Sequence, residues 1–275
     1  MDTLDAIIMG LVQGLAEYLP ISSSGHLEIC REILGINLPG DEALEFSMML
    51  HVATVLSTIV VLWHEFRALC TSFFTFRRDA NTIYVWKILL SCIPVAVVGL
   101  FFKDQVEQFF GSGLFTVGIC LIITAALLTF AHFYRRRPSN HYADRHIREH
   151  DIRWCDAFVI GCAQAVAVLP GLSRSGSTIA TGLILGDRRD QLAQFSFFMV
   201  IIPILGEALL DAKDIIQGSA AASQSIGLTA LIAGFLTSFI VGCAACRWMI
   251  SLVKRGGLEW FAIYCAIMGI VCIIW

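Results

Sequence analysis

Residues 13–26 read QGLAEYLPISSSGH and residues 170–178 read PGLSRSGST, and they occupy equivalent places in two copies of one segment. At a constant offset of 151, Asp5 to Gly35 and Asp156 to Gly186 share eleven identities in 31 positions. Among them are Gly10/Gly161, Gln13/Gln164, Ser22/Ser173, Ser24/Ser175, Gly25/Gly176 and Gly35/Gly186. Each copy is an apolar run that reads as helix, then a polar turn, then a shorter run closed by glycine. Crossing the hydrocarbon takes roughly 20 apolar residues, and neither arm has them. Both copies, 3–35 and 154–186, therefore read as re-entrant helical hairpins. Such a turn is tolerated only where its backbone faces protein or a water-filled cavity.

The rest of the chain supplies the membrane that such hairpins require. Hydrophobic residues make up 57% of 275 positions, charged residues 15%, and mean hydropathy is +0.76, too apolar for a soluble domain of this length. The net charge of −3 and the placement of basic residues in loops give no nucleic-acid footprint. Asp2 and Asp5 stand where an export signal would carry basic residues, so the first segment is expected to stay in the mature protein. Most of the ten cysteines lie in apolar runs and read as small hydrophobes, and Cys243-x-x-Cys246 has no second pair of ligands in register.

Six further stretches are long and apolar enough to cross: 45–64, 83–102, 113–134, 191–212, 225–248 and 257–275. Three crossings separate the hairpins, and an odd number makes the second enter from the opposite face. The expected fold is an all-α polytopic membrane protein of two inverted-topology repeats, each a re-entrant hairpin plus three transmembrane helices. The first repeat is 1–134, a basic linker is 135–153, and the second repeat is 154–275. Fifteen of the 19 lysines and arginines fall on one side of this layout, which the positive-inside rule makes cytoplasmic, with both termini outside. The six crossings show no single small-residue seam, and a homodimer is left open.

Broken segments of inverted repeats characteristically meet near the midplane and build a site there. Gln13 and Glu17 are four apart and share a helix face. A carboxylate within the membrane costs roughly 2.5–3.5 kcal/mol on insertion scales, so Glu17 calls for a cation or proton to hold. In the second turn Ser173, Arg174 and Ser175 precede a helix start, placing hydroxyls, backbone N–H groups and a guanidinium around one point. That arrangement favours phosphate. Ser23 is a candidate nucleophile, His26 three residues on a candidate base, and Glu17 either a metal ligand or the group that orients the histidine. Ser22 adds a hydroxyl to the phosphate site. His51 and Thr54 face either the cavity or the interface. The readings left standing are a membrane phosphatase and a lipid-phosphate transporter or flippase that cleaves nothing.

The two turn motifs and the doubled hairpin-plus-three layout closely resemble the bacterial undecaprenyl-pyrophosphate phosphatases, also called bacitracin-resistance proteins. The resemblance implies a bacterial inner-membrane enzyme that converts undecaprenyl pyrophosphate to undecaprenyl phosphate for peptidoglycan synthesis, using Mg2+ or Ca2+. Position by position it puts Glu17 and Gln13 on the acidic, metal-binding signature. It puts Ser23 and His26 on the proposed catalytic pair, and Ser173, Arg174, Ser175 and Thr178 on the phosphate-binding run. Gln13 stands where many members carry glutamate, which shifts the expected metal onto Glu17 and the substrate's own phosphates. The polyprenyl pyrophosphate would lie partly in membrane lipid and enter a cavity open to the outer face.

Overall fold

The computed structural model describes the chain apart from residues 37, 39, 103–104, 107–112, 137–148 and 217–225. The linker 135–153 falls outside the described residues except at its ends. The helices are α1 (Thr3–Ala16), α2 (Ser23–Leu34), α3 (Gly40–Val61), α4 (Trp63–Phe74), α5 (Ala80–Phe101) and α6 (Leu114–Arg136). They continue with α7 (Trp154–Val166), α8 (Arg174–Leu185), α9 (Arg189–Ile216), α10 (Leu228–Arg255) and α11 (Glu259–Ile274). Among the described residues the only β-type pairing is an isolated bridge between His150 and Asp187.

The two copies fold alike, and matching residues do matching work. Asp5 accepts the Asp2 N–H at 3.1 Å at the start of α1, and Asp156 accepts the Arg153 N–H at 3.0 Å at the start of α7. Ser22 caps α2 by accepting the Gly25 N–H, and Ser173 caps α8 by accepting the Gly176 N–H. Gly35 and Gly186 end α2 and α8 in the left-handed region, at φ 62° and 98°, where a Cβ would be strained. The arms are 12 to 14 residues long, shorter than the roughly 20 that a crossing takes.

Among the described residues five helices are long and apolar enough to span: Glu42–Val61, Ala80–Phe101, Leu114–Tyr134, Arg189–Leu210 and Leu228–Arg255. The chain is a multi-pass membrane protein. The sixth predicted crossing, 257–275, is the 16-residue α11, about 24 Å long at 1.5 Å per residue. It is shorter than predicted because Gly256, at φ 80°, ends α10, and the turn after it uses up the residues before Glu259. The stretch between the predicted crossings 45–64 and 83–102 contains most of α4; Asp79 then starts α5 by accepting the Thr82 N–H at 2.9 Å.

Helix pairing exchanges between the halves. α1 packs on α10 and α7 on α5; α3 packs on both α9 and α10, and α9 on α5 as well; α6 packs on α11. The first two contacts are backbone to backbone. A methyl built on Gly10 would collide with Gly234, and one built on its repeat mate Gly161 would collide with Ser91. Between α6 and α11, a Cβ on Gly118 would lie 2.7 Å from the Gly269 carbonyl. Lipid offers apolar helices no solvent-driven reason to associate, so close backbone approach of this kind is a main source of packing energy.

Candidate active site

The two turns touch. A Cβ on Gly25 would stand 2.9 Å from Gly171 Cα, and one on Gly176 3.3 Å from Pro20, so each hairpin's glycine makes room for the other hairpin's turn. Gly171 itself sits at φ 90°. Ser22 occupies φ 71° without being glycine, a conformation costing about 1–3 kcal/mol that the surrounding contacts must hold. This junction gathers Gln13, Glu17, Ser23 and Arg174.

Glu17, at the end of α1, is its hub, with a side chain only 8% exposed. Its Oε1 accepts from Arg174 Nη2 at 3.2 Å, across the junction. Its Oε2 accepts from Ser23 Oγ at 2.7 Å and from Gln13 Nε2 at 2.9 Å. His51 on α3 donates Nδ1–H to the Ser47 carbonyl at 2.8 Å, which turns Nε2 toward Glu17 Oε2 at 3.5 Å. The next residue, Tyr18, is buried and donates its hydroxyl to the Thr54 carbonyl at 2.6 Å, with Thr58 Oγ1 at 2.9 Å; this pins the turn to α3.

A cleft opens beside the Glu17–Arg174 pair, and its polar lining includes Thr54, Thr58, Gln164, Ser175, Thr178 and Ser196. Phe197, Val200 and Ile204 of α9 form an apolar wall. The arrangement offers a cationic guanidinium, hydroxyls and a serine hydrogen-bonded to a carboxylate beside an apolar wall, which suits an anionic headgroup carrying a hydrocarbon tail.

The sequence-predicted residues divide into four groups. Glu17, Gln13, Ser23 and Arg174 are brought together. Ser175 and Thr178 line the cleft, while donating to the Leu19 carbonyl at 3.1 Å and the Arg174 carbonyl at 2.9 Å respectively, with Thr178 also 2.6 Å from Ser196 Oγ. Ser22 and Ser173 are engaged as helix caps and are almost fully buried. His26 is not hydrogen-bonded to Ser23. Its Nδ1–H donates to the Ser22 carbonyl at 2.8 Å, and its Nε2 accepts from the Tyr264 hydroxyl at 2.7 Å while the two rings stack. Two residues three apart on a helix share a face but need not touch, and here the serine's partner is the carboxylate instead.

Donors suited to a divalent cation are present at the junction. Gln13 is fully buried, and its Oε1 has no hydrogen-bond partner, while the Glu17 carboxylate lies one turn away and His51 Nε2 faces that carboxylate. A second group of potential ligands, His150, Asp156 and Asp187, lies at the opposite end of the second hairpin, with His150 Nδ1 3.2 Å from Asp187 Oδ1. It ties the start of α7 to the turn before α9 through the His150–Asp187 bridge and is remote in the chain from the paired turns. Burial first, and then the Asp156 carboxylate, push Asp187 up to about 7.

The model of the bacitracin resistance protein BacA family matches residues 6–271. The chain belongs to that family. An undecaprenyl-diphosphatase of Bacteroides fragilis (strain ATCC 25285) is 54% identical over 274 residues, covering all of this chain and 98% of the relative. One from Bacteroides thetaiotaomicron is 53% identical, covering 100% and 99%. One from Oceanobacillus iheyensis is 34% identical, covering 97% and 94%. The similarity therefore takes in both hairpins and every crossing helix.

Sequence reasoning left His51 and Thr54 undecided and passed over Tyr18, Tyr264 and Gln164 as site residues. For Gln164 a signal was available: it is the repeat mate of Gln13, and a buried amide in an apolar helix needs a partner. Tyr18 and Tyr264 had none, because a tyrosine in an apolar run reads as an interfacial anchor until its hydroxyl is seen buried or paired.

Proposed function

We propose that this membrane protein hydrolyses undecaprenyl pyrophosphate to undecaprenyl phosphate and inorganic phosphate, recycling the lipid carrier for peptidoglycan synthesis and conferring resistance to bacitracin. The family membership and the names of the relatives support the substrate. The observation that carries the mechanism is the convergence on Glu17: a serine from one hairpin and an arginine from the other both donate to the same carboxylate, beside a hydroxyl-lined cleft.

The terminal phosphate of the substrate lies against Arg174 and the α8 N-terminus, with Ser175 and Thr178 in the lining and Ser22 and Ser173 holding the two helix starts in place. Ser23 Oγ attacks the terminal phosphorus. Its proton passes to Glu17 Oε2, toward which it already points, and the P–O bond to undecaprenyl phosphate breaks. Water then cleaves the serine phosphate, releasing inorganic phosphate and restoring the Ser23 hydroxyl. His26, on the same helix face, is assigned the activation of that water once it parts from Tyr264. A divalent cation, Mg2+ or Ca2+, held by Glu17 and the Gln13 side-chain carbonyl, supplies positive charge to the phosphoryl oxygens when bound. Arg174, which lies within hydrogen-bond reach of Glu17, draws the substrate phosphate and the carboxylate to the same spot.

The architecture behind this reading is the pair of inverted repeats, 1–134 and 154–275, joined by the linker 135–153. The exchange of helix partners, α1 on α10 against α7 on α5, supports it, as do the matched caps and glycines. We place the protein in the bacterial inner membrane with both termini and the cleft on the outer side, where pyrophosphate carriers are left by cell-wall synthesis. The polyprenyl tail lies among membrane lipid.

The test is phosphate release from undecaprenyl pyrophosphate by the purified protein in detergent, comparing wild type with Ser23→Ala and Arg174→Ala, in Mg2+, in Ca2+ and in EDTA. Turnover by wild type with metal, lost in EDTA and in both variants, is expected. Binding of the lipid without phosphate release under any condition would make the protein a lipid-phosphate carrier instead.

A further inference from the structure

Gln164 ends a line of reasoning that starts from the repeat. Its mate Gln13 donates Nε2–H to Glu17, four residues on along α1. In the second copy the residue four on is Val168, so the same geometry presents no carboxylate. Gln164 is 1% exposed, and neither its Nε2 nor its Oε1 has a hydrogen-bond partner. Polar side-chain groups are rarely buried without partners, because such burial opposes folding with nothing gained in exchange. An apolar side chain of similar length would serve packing better at this position. Gln164 is one of the residues lining the cleft that Arg174, Thr178 and Ser196 also line. The hydroxyls of Thr178 and Ser196 bond each other at 2.6 Å, and the Gln164 Nε2–H groups have no protein acceptor.

We propose that Gln164 is a phosphate-binding residue: its amide donates to a phosphoryl oxygen held by Arg174, and its carbonyl accepts from a protonated phosphate oxygen or from water bound with it. This rests on the reading of the cleft as the phosphate site, and it adds to that site a residue outside both turn motifs. The inorganic phosphate product, which can carry P–OH groups, matches a donor-plus-acceptor amide better than a purely anionic group does. Gln164 should therefore affect product affinity as well as substrate affinity.

The experiment uses full-length protein in detergent with three readouts for Gln164→Met and Gln164→Glu: KM and kcat for undecaprenyl pyrophosphate, inhibition by inorganic phosphate, and the thermal unfolding midpoint. Gln164→Met is expected to raise KM and the phosphate inhibition constant together, by about ten- to a hundredfold, the range for one hydrogen bond to a charged group. Its unfolding midpoint should stay level or rise, because an unpartnered buried amide has been exchanged for an apolar chain. Gln164→Glu, which sets a carboxylate facing phosphate, should weaken both further. Unchanged KM and phosphate inhibition in Gln164→Met, with wild type active, would overturn the proposal and leave the phosphatase reading intact. A fall in the midpoint of Gln164→Met with KM preserved would make the amide a structural group and overturn it equally. A wild type that releases no phosphate would fail the phosphatase reading, and this proposal with it.

Discussion

Arg174→Ala and Glu17→Gln, made singly and together, separate the two things the ion pair can do. Arg174→Ala strands a carboxylate whose side chain is 8% exposed. Breaking a buried pair from one side costs about 3–5 kcal/mol. Here Ser23 and Gln13 still donate to Glu17, and Arg174 is 26% exposed, so the expected loss is about 2 kcal/mol. Glu17→Gln keeps shape and hydrogen-bonding capacity and leaves a partly exposed arginine, for a loss of about 1 kcal/mol. The double variant removes both charges, so its loss should fall short of the sum by about 1–2 kcal/mol of coupling. Denaturant unfolding of the detergent-solubilised protein, followed by tryptophan fluorescence, measures these differences. Phosphate release from undecaprenyl pyrophosphate is measured alongside, and each single variant should fall at least about a hundredfold. Regained stability without regained turnover is the predicted result for the double variant. Regained turnover would refute the assignment of Arg174 to phosphate and make the pair a clasp between halves. Coupling below about 0.5 kcal/mol would refute the contact itself.

Gly10→Ala and Gly161→Ala each force a methyl into a facing backbone and should cost similar amounts, about 1–3 kcal/mol, in the same unfolding measurement; a large cost for one and none for the other would contradict the matched packing of the two repeats. Asp187 is held up to about 7 from 3.8 by burial and by Asp156, against the opposing pull of His150 and Arg153. A carboxyl with a raised folded pKa favours folding at low pH and loses that contribution as pH rises through the folded value. Asp187→Asn should therefore match wild type in stability near pH 4, gain on it between about pH 4 and 7, and hold a constant lead above, read from unfolding midpoints across pH. Tyr264→Phe removes the hydroxyl that donates to His26. It should leave substrate KM within about twofold while changing kcat and its pH profile, as expected of a residue that acts through the histidine.

Much of this fold is visible in the sequence because its signals are local or repeated. Hairpin ends follow from Gly35 and Gly186, which stop α2 and α8 at the residues the repeat marks. Caps follow from Ser22 and Ser173. The crossings follow from apolar length, and where length fell short, at 257–275 and between 45–64 and 83–102, the cause was local: a left-handed Gly256 in one case and an unrecognised helix between crossings in the other. The site was harder to read, because hydrogen-bond partners are chosen by tertiary packing. Ser23 and His26 are three apart in sequence, yet the serine bonds Glu17 and the histidine bonds a tyrosine 238 residues away. His51 reaches Glu17 only because α3 runs past the first turn, a fact that no spacing in its own segment contains.

The divergence of the two copies explains why there is one site rather than two. At the offset of 151, Ser23 is the mate of Arg174, Glu17 of Val168, His26 of Ser177, and Gln13 of Gln164. One copy holds the acid and the hydroxyl, and the other holds the cation, at positions that the touching turns bring within 3.2 Å. A symmetric pair of such turns would set like against like: two carboxylates repelling, or two arginines unable to share a single anion. Placing the acid in one copy and the cation in the other makes the junction attractive before substrate arrives and gives a phosphate a cationic side and an acidic side to lie between. Of the four mated positions only the glutamines are unchanged. One of them has found its carboxylate in Glu17, and the other, facing the same cleft, has only a ligand left to bind.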